Sequence, residues 1–332
     1  MNNNNVLVTG ANGFVGSALL TRLVEEAGCN KIIAMHRSEL TPKLKNRYGT
    51  AVQWLKADLT TDDLAAAVAG IDTVFHLAAY ASISESDVER NLMEAVNVVG
   101  TQRLATAAKQ AGVGHFIFVS SIAACESGLT WPINEENGFP VSAYGKSKKS
   151  AEDCLTALSG NGFEVTVLRP TALFGENHLG SVYELVKAIK RGHFVLFGGG
   201  DNRTNFYYIE DFIDVLMTVR HDARSYGQVF ITADQPWPLR ELTACITIAL
   251  KQRRSIPKIP LLLGYWLAAG FDMASAALRK PLPLSKRRFR AMTRDMAYSD
   301  QKLAKAFGIT PRHGLVDGIN YTVKWYREQG LI

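Results

Sequence analysis

The first half of the chain alternates between short apolar runs and longer amphipathic stretches. The apolar runs are NVLVTG, KIIAMH, AVQWL, DTVFHLAA, GHFIFVSS and FEVTVLRP. Stretches of helical length separate them, at residues 14–26, 62–69, 87–111 and 142–159. This alternation is typical of strands joined by crossover helices, so it predicts an α/β fold with a doubly wound parallel sheet.

The rhythm ends after LRPTALFGEN, where the glycines at 198–200 mark a turn. QVFIT, at residues 228–232, is a late strand that we expect to rejoin the sheet. We predict a first domain over residues 1–170 and a smaller C-terminal lobe over 171–332. A part of that lobe, at about 205–235, would return to the sheet of the first domain.

Composition narrows the class of protein. In a chain of 332 residues, 47% hydrophobic and 20% charged residues are typical of a folded globular protein. The start lacks the pattern of a secretory signal, which favours a cytoplasmic location. The cysteines, at positions 29, 125, 154 and 245, have no metal-ligand spacing. We therefore expect reduced thiols and no bound metal.

A glycine-rich stretch, VTGANGFVGSAL, follows the first strand and opens the first helix. Gly10 permits a tight turn, Gly13 lets the main chain approach a pyrophosphate, and Gly16 lets the helix pack closely on the strand. The helix also offers free N–H groups and a positive dipole end to phosphates. Because of this context, the glycines predict an NAD(P)-binding first domain rather than a simple tight turn, with the lobe binding the substrate.

The end of the second strand should meet the adenosine ribose. An acid there favours NAD, whereas an arginine accommodates the extra phosphate of NADP. The strand ends with AMHRSE, which places Arg37 before the first acid, Glu39. This order mildly favours NADP, with a solvated arginine as the alternative. After the third strand, Asp58 and Leu59 would hold the adenine edge, and HLAA at residues 76–79 would run beneath the dinucleotide.

Two residues of YGKSK, Tyr144 and Lys148, lie one helical turn apart and share a face. A free phenol has a pKa of about 10, and a nearby ammonium or an oxidised nicotinamide ring lowers it. Tyr144 could then exchange a proton with an alcohol or a carbonyl. Ser121, at the end of the strand FVSS, could donate a hydrogen bond to the same substrate oxygen. Each residue alone is ordinary, but the ordered set with the glycines predicts hydride chemistry.

At this point the sequence resembles the extended short-chain dehydrogenases/reductases, also called the NAD-dependent epimerase/dehydratase family. The resemblance covers nearly the whole chain and implies a Rossmann fold. The motifs that carry it are TGANGFVG, HLAA, NVVGT, FVSSIAA, YGKSK, LRPTALFG, NFYYIEDFIDV and YSDQKLAKAFGITP. They are specific for the fold and the hydride chemistry and weakly specific for the substrate.

The resemblance implies a catalytic set of Ser121, Tyr144 and Lys148, with Lys148 also contacting the nicotinamide ribose. Together with the residues derived above, the expected cofactor-binding set is Gly10, Asn12, Gly13, Phe14, Val15, Gly16, Arg37, Asp58, Leu59, Leu77, Ala78, Ala79, Asn97 and Pro170.

Nucleotide-sugar members of this family hold the substrate diphosphate with arginines of the second lobe. They usually have Arg-Asp before the segment FYYIED, whereas this chain has Thr204 and Asn205, with Arg203 one position earlier. Arg290 and Arg294, in SKRRFRAMTRD, are the other expected phosphate-binding residues. The departure at Thr204 weakens the nucleotide-sugar assignment without affecting the fold.

Positive charge is concentrated in one segment. Of the net charge of +6, the stretch from Lys251 to Arg290 carries ten Lys or Arg against one acid, Asp272. A confined cluster of this kind disfavours nucleic-acid binding and suits a diphosphate. The segment encloses PLLLGYWLAAGF, at residues 260–271, which is too short to span a bilayer and is expected to be a buried helix. Docking on a membrane surface through residues 260–290 is the alternative.

The leading hypothesis is an NAD(P)-dependent nucleotide-sugar epimerase or 4-keto reductase/dehydrogenase. The alternative within catalysis is a 3-beta-hydroxysteroid or dihydroflavonol-type dehydrogenase, and a non-catalytic dinucleotide-binding protein is the third hypothesis. Dehydration is disfavoured because Ile122 and Ala123 follow Ser121 where dehydratases usually have two acids. The resemblance also suggests a homodimer formed through helices near residues 90–110 and 143–158.

Overall fold

A computed structural model describes residues 4–26, 28–82, 84–128, 130–278 and 286–332. Its strands, in chain order, are β1 (Asn5–Thr9), β2 (Lys31–His36), β3 (Gln53–Lys56), β4 (Thr73–His76), β5 (His115–Val119), β6 (Ser127–Gly128), β7 (Gly138–Phe139), β8 (Glu164–Pro170), β9 (Ala172–Phe174), β10 (Leu196–Phe197), β11 (Arg203–Thr204), β12 (Phe206–Tyr208), β13 (Val229–Thr232), β14 (Trp237–Pro238) and β15 (Lys258–Ile259).

The α-helices, in chain order, are α1 (Phe14–Glu25), α2 (Pro42–Arg47), α3 (Ala65–Val68), α4 (Asp87–Met93), α5 (Thr101–Gln110), α6 (Ala143–Leu158), α7 (Ser181–Arg191), α8 (Ile209–Val219), α9 (Leu239–Ala249), α10 (Leu261–Leu278), α11 (Lys286–Thr293), α12 (Gln301–Phe307) and α13 (Gly314–Glu328). Short 3₁₀ turns occupy Gly49–Ala51, Ile122–Cys125 and Ala223–Ser225, and a π-helical segment covers Glu94–Gly100.

Seven strands form one parallel sheet in the order β13-β8-β5-β4-β1-β2-β3. The predicted doubly wound α/β fold is thereby confirmed. Each of the six predicted apolar runs is a strand of this sheet, and QVFIT contributes the seventh strand. The strand order reverses between β1 and β4, and the crevice at such a reversal, outside the carboxyl ends of the strands, is where doubly wound sheets bind ligands.

The chain divides into two compact units. The first contains the chain up to Leu173 together with Ile209–Ala233 and Ser299–Pro311. The second contains Phe174–Tyr208, Asp234–Tyr298 and Arg312–Ile332. The assignment of cofactor binding to one part of the chain and substrate binding to the other stays a prediction.

The sheet of the first unit is buried on both faces, as the unbroken apolar runs require. All five residues of β5 are buried, and Leu7, Val74 and Phe116 have no exposed surface. Helices packed on both faces of a parallel sheet produce this pattern, because each strand must then be apolar at consecutive positions.

The predicted helix at 87–111 contains an interruption that its sequence does not signal. Between α4 and α5, the segment Glu94–Gly100 adopts wider π-helical turns. Asn97 lies in the middle of this segment and is buried. Such π-bulges reposition side chains relative to a regular helix, and they occur frequently at functional sites.

The helix predicted at residues 260–271 forms as α10, but the expectation that it is buried is wrong. Its large side chains Leu262, Trp266 and Met273 are 72%, 64% and 76% exposed. The side that packs inward carries Gly264 and Ala268, which are buried. In the part of the chain that the structure describes, no helix is long and apolar enough to cross a membrane. Residues 279–285 of the predicted basic segment lie outside the described residues.

The turn from β1 into α1 depends on contacts that only glycine permits. Gly10 has φ +64°, a left-handed conformation that favours glycine. A Cβ at Gly16 would lie 2.3 Å from the carbonyl oxygen of Gly10. The start of α1 therefore packs main chain against main chain, as the glycine spacing predicted.

We expect Gly16→Ala to lower the free energy of unfolding by about 1–3 kcal/mol, because the added methyl group overpacks this contact. The matched control is Gly270→Ala in α10, where a Cβ would meet nothing within 4 Å. That change should leave stability unchanged or raise it by about 0.5–1 kcal/mol. Urea unfolding of both variants checks the prediction, and equal effects would contradict it.

Candidate active site

One cavity opens at the carboxyl edge of the sheet, beside the β1–α1 turn. At one side of the cavity, Gly10 packs closely against HLAA. A Cβ at Gly10 would lie 2.9 Å from the main-chain nitrogen of Ala78. Gly13 is the N-cap of α1 and uses no side chain to cap the helix. A cradle that a Cβ would fill, at the start of a helix whose dipole favours negative charge, fits the pyrophosphate of a dinucleotide.

Nine of the predicted cofactor-binding residues line this cavity. They are Gly10, Asn12, Gly13, Arg37, Asp58, Leu59, Leu77, Ala78 and Ala79. Phe14, Val15 and Gly16 follow in the first turn of α1. Residues that sequence analysis did not select also contribute to the lining, namely Thr9, Met35, His36, Ser38, Ala57, Tyr80 and Val96.

The end of β2 presents an arginine to the cavity instead of an acid. Arg37 is exposed and lines the cavity, whereas the carboxylate of Glu39 pairs with Lys56. That hydrogen bond lowers the pKa of Glu39. Asp58 accepts hydrogen bonds from the main chain and hydroxyl of Thr60, at 2.8 and 2.7 Å, which lower its pKa. The only cation that the described lining contributes is Arg37.

A buried hydrogen-bonded chain fixes the floor of the cavity. The hydroxyl of Thr9 lies 2.7 Å from Nδ1 of His76, and Nε2 of His76 lies 2.8 Å from the hydroxyl of Thr101. The main-chain nitrogens of Leu77 and Ala78 both donate to Thr9. Burial lowers the pKa of His76 to about 3, so the ring is neutral. These hydrogen bonds fix the orientation of HLAA, residues 76–79. The residue in the sequence that could have indicated this contact is Thr9, which ends β1.

Asn97 and Pro170 are buried and are not among the residues that line the cavity. The side-chain amide of Asn97 bonds both main-chain groups of Tyr80, at 2.7 and 2.9 Å, and the hydroxyl of Ser147 at 2.9 Å. It therefore joins the cavity wall to α6. Pro170 is buried at the end of β8, opposite Thr232 of β13.

Ser121 and Tyr144 meet at the carboxyl edge of the sheet. Ser121 follows β5 and caps the short 3₁₀ turn, and Tyr144 is in the first turn of α6. Burial raises the pKa of the half-buried Tyr144 hydroxyl, and the neighbouring Ser121 hydroxyl acts in the opposite direction. Tyr144 is therefore a protonated phenol at neutral pH.

Close main-chain packing holds these two residues together. A Cβ at Gly145 would lie 2.1 Å from the carbonyl oxygen of Ala123, so the start of α6 touches the 3₁₀ turn after Ser121. Ser142 caps α6 by accepting from the nitrogen of Gly145 at 3.1 Å. The carboxylate of Glu126 accepts from the nitrogen of Ser142. In YGKSK, Gly145 thus permits the close packing that positions the neighbouring Tyr144.

Lys148 is fully buried one turn further along α6. Its ammonium donates to the carbonyl oxygen of Val119 at 2.8 Å and lies 4.2 Å from the centre of the Phe118 ring. Burial lowers the pKa of Lys148 to about 7, partly offset by the negative charge of Glu152. The expectation that Lys148 lowers the pKa of Tyr144 is not met in this arrangement, because burial raises that pKa and the opposing influence comes from Ser121.

The two serines after β5 have different environments. Ser120 is buried and donates to the carboxylate of Glu152 at 2.5 Å. Glu152 also forms a two-pronged ion pair with Arg169, at 2.6 and 2.9 Å, and both side chains are almost fully buried. Sequence analysis missed this network, although Glu152 lies one turn after Lys148 on the same helix. Ser121, which faces Tyr144, is the serine available for chemistry.

The three predicted phosphate-binding arginines belong to the second unit, and each is exposed. The main-chain nitrogen of Arg203 donates to Asp295 at 2.6 Å, and the nitrogen of Met296 donates to the oxygen of Arg203 at 2.8 Å. Arg294 therefore lies in the segment beside Arg203, one helical turn after Arg290. Asn205 belongs to the Thr204-Asn205 pair that stands in place of the usual Arg-Asp. It is buried, and its side chain is hydrogen-bonded to the main chain of Asp234 and Tyr298.

The parallel sheet, the glycine-lined cavity and the Ser-Tyr-Lys cluster define a dinucleotide-dependent enzyme of the short-chain dehydrogenase/reductase type. The chain belongs to the NAD dependent epimerase/dehydratase family, whose model matches residues 6–231. The family resemblance drawn from the motifs is thereby confirmed.

Relatives across the full length have different activities. The chain is 28% identical over 328 residues to an N-acetyl-alpha-D-glucosaminyl-diphospho-ditrans,octacis-undecaprenol 4-epimerase of Escherichia coli O157:H7, covering 97% of this chain and 95% of the relative. It is 29% identical over 296 residues to a 3 beta-hydroxysteroid dehydrogenase/Delta 5-->4-isomerase of Mycobacterium tuberculosis, covering 84% and 78%.

Solved structures share the fold at lower identity. A UDP-glucose 4-epimerase of Thermotoga maritima, solved with UDP-glucose, superposes with a TM-score of 0.76 at 22% identity, covering 98% of this chain and 99% of that one. A UDP-glucuronic acid 4-epimerase of Bacillus cereus, solved with NAD, gives 0.77 at 19%, with the same coverage.

Replacing Lys148 with methionine should raise stability at neutral pH, because it removes a buried ammonium. The folded-state pKa of about 7 lies below the unfolded value, so the unfolded chain binds more protons between the two values. The stabilisation, on the order of 1 kcal/mol, should be largest below pH 7 and should shrink as the pH rises towards 10.

Denaturant unfolding of Lys148→Met at pH 6.5, 8 and 9.5 measures this effect. The control is Lys149→Met, whose more exposed ammonium pairs with Asp153 on the helix surface. A gain that does not depend on pH, or an equal gain in the control, would show that the charge of Lys148 is not the cause.

Proposed function

We propose that this protein is an NAD(P)-dependent epimerase or 4-keto reductase/dehydrogenase that acts on a sugar carried by a diphosphate, with a nucleotide sugar as the first choice. The observation that carries the proposal is the placement of Tyr144 in the first turn of α6, where Gly145 packs against the 3₁₀ turn that Ser121 caps at the sheet edge. Family membership and the full-length epimerase relative support the same chemistry.

In this mechanism Tyr144 exchanges a proton with the sugar oxygen. Its raised pKa keeps the proton on the phenol, which suits donation to a keto oxygen. Ser121 donates a second hydrogen bond to that oxygen and polarises it. When bound, the nicotinamide would supply or accept the hydride at the adjacent carbon, and its oxidised form would add a positive charge that favours the phenolate. Lys148 would hold the nicotinamide ribose.

We infer a mild preference for NADP from the end of β2. Arg37 faces the cavity, and Glu39 is held by Lys56 instead of being free to bind a ribose hydroxyl. A guanidinium matches phosphate oxygens and has no such match in a ribose hydroxyl.

The diphosphate of the substrate would be bound in the second unit by Arg203, Arg290 and Arg294. The main chain of Arg203 is hydrogen-bonded to Asp295 and Met296, which directly follow Arg294. These two arginines therefore lie on adjacent segments. One relative acts on an undecaprenyl-diphospho-sugar. The proposed substrates therefore include sugars whose diphosphate is attached to a polyprenyl lipid as well as nucleotide sugars.

A 3-beta-hydroxysteroid dehydrogenase activity is the second candidate. One relative of similar identity, matched over 84% of this chain and 78% of its own length, has that name, and the proton-transfer set would serve an alcohol of either class. The concentration of arginines favours the diphosphate substrate, because a sterol pocket is chiefly apolar.

The first experiment denatures the purified protein and identifies any released dinucleotide by mass. Stoichiometric NAD would favour an epimerase that recycles its cofactor, and it would contradict the inference from Arg37. An empty protein that binds NADPH more tightly than NADH would favour a reductase. Conversion of UDP-sugars, polyprenyl-diphospho-sugars and a 3-beta-hydroxysteroid then separates the substrate classes.

We expect Tyr144→Phe to lower kcat by about 10²–10⁴-fold, because it removes the proton donor. Tyr321→Phe, a half-exposed tyrosine of α13, is the matched control and should leave kcat unchanged. Steady-state turnover of the accepted substrate checks both variants. Retention of kcat in Tyr144→Phe would exclude the proposed mechanism and favour a non-catalytic dinucleotide-binding protein.

Reversing the charge with Arg37→Asp should lower the NADPH-to-NADH affinity ratio by about 10–100-fold, since a hydrogen bond to a charged group contributes about 1.5–3 kcal/mol. The control Arg47→Asp changes an exposed arginine at the end of α2. Titration of both cofactors into each variant gives the ratio, which stays constant if Arg37 does not meet the ribose phosphate.

A further inference from the structure

Helix α10 exposes an apolar stripe that the fold of the second unit does not use. Leu262, Trp266 and Met273 are its most exposed large side chains. They are spaced i, i+4 and i+11, so they lie within about 40° of each other around the helix axis. Single exposed apolar residues are normal on protein surfaces, but a continuous stripe marks an interaction site.

The large side chains of α10 are exposed because the opposite side of the helix is tightly packed. A Cβ at Gly264 would lie 2.5 Å from the Phe197 ring and 2.7 Å from the Phe289 ring, and Ala268 has no exposed surface. The two phenylalanines pack edge to face with their centres 5.0 Å apart. Rotating the helix to bury its large residues would drive them into this tight contact. The small side therefore faces inward, and the large apolar side faces solvent.

Basic residues lie beside the first half of the stripe. Lys258 is exposed two residues before Pro260, and the ammonium of Lys286 lies 5.8 Å from the centre of the Tyr265 ring. The one acid within α10, Asp272, accepts a hydrogen bond from the main-chain nitrogen of Lys286. An exposed apolar helix face beside cationic side chains is the arrangement that binds anionic lipid surfaces.

We propose that α10 and these flanking basic residues dock the protein on the surface of an anionic lipid bilayer. The helix would lie in the plane of the interface, with Leu262, Trp266 and Met273 reaching into the acyl boundary. Trp266 and its edge-to-face neighbour Tyr265 have the amphipathic rings that concentrate at this depth.

A lipid surface explains both components of this face, whereas a second copy of the chain does not. A two-fold dimer through α10 would cover the apolar side chains but would offer no acid of α10 to the basic residues, because Asp272 already accepts from Lys286. The proposal goes beyond the proposed function and does not depend on it, because binding to lipid can be measured without turnover.

The test floats the full-length protein with phosphatidylcholine vesicles, with and without 30% phosphatidylglycerol, at 0.15 M and 0.5 M salt. We expect binding that requires phosphatidylglycerol and weakens at high salt. The double variant Leu262→Ser/Trp266→Ser should reduce partitioning on the order of tenfold or more. Lys258→Glu should reduce it by about fivefold.

Ile248→Ser is the matched control, because Ile248 is an equally exposed apolar residue on α9, at 73%. It should leave partitioning unchanged. Quenching of tryptophan fluorescence by brominated lipid should be lost in Trp266→Phe, which locates the contact at α10.

Failure to bind phosphatidylglycerol vesicles would overturn the proposal, and so would binding that Leu262→Ser/Trp266→Ser leaves intact. Sedimentation velocity of the wild type and this variant separates the remaining alternative. Self-association that the variant abolishes, without vesicle binding, would assign the face to a second copy of the chain and overturn the lipid proposal.

Discussion

Two direct contacts between main-chain segments hold the functional edge of the first unit in place. At one, the start of α1 lies against the carbonyl oxygen of Gly10, which only Gly16 allows. At the other, the start of α6 lies against the carbonyl oxygen of Ala123, which only Gly145 allows. The first contact sets the start of α1 beside the cavity, and the second sets the start of α6, which carries Tyr144, beside the turn that follows Ser121. Because neither contact has room for a methyl group, the backbone itself fixes where these two helices begin.

Behind this edge, two sets of buried polar side chains are paired. Ser120, Glu152 and Arg169 satisfy each other, and His76 is held neutral between two threonines. Lys148 is the costly member, because burial of its charged form lowers its pKa to about 7. Strongly shifted pKa values of this kind concentrate at functional sites. The same reasoning applies to α10, which leaves its large apolar side chains in solvent.

Much of the fold could be predicted because its signals are local. The period of the apolar residues identified the strands of the sheet, and the glycine spacing identified the β1–α1 turn. Most of the residues that line the cavity followed, since parallel strands bring their carboxyl ends to one edge. Tyr80 and the π-helical placement of Asn97 were not predictable, because side-chain direction there depends on a local change of helical period. The burial of α10 was predicted wrongly, since apolar composition does not reveal which side of a helix packs.

The sequence by itself determined the class of fold, the family and the order of the residues with chemical potential along the chain. Those properties follow from spacing, which is fixed once the period of each element is known. Only the tertiary structure decided which of two serines faces Tyr144, that Lys148 bonds Val119 instead of the phenol, and that the acid after β2 is held by a lysine. These outcomes depend on competition among distant side chains for space and hydrogen bonds, and that competition is settled only when the chain is packed.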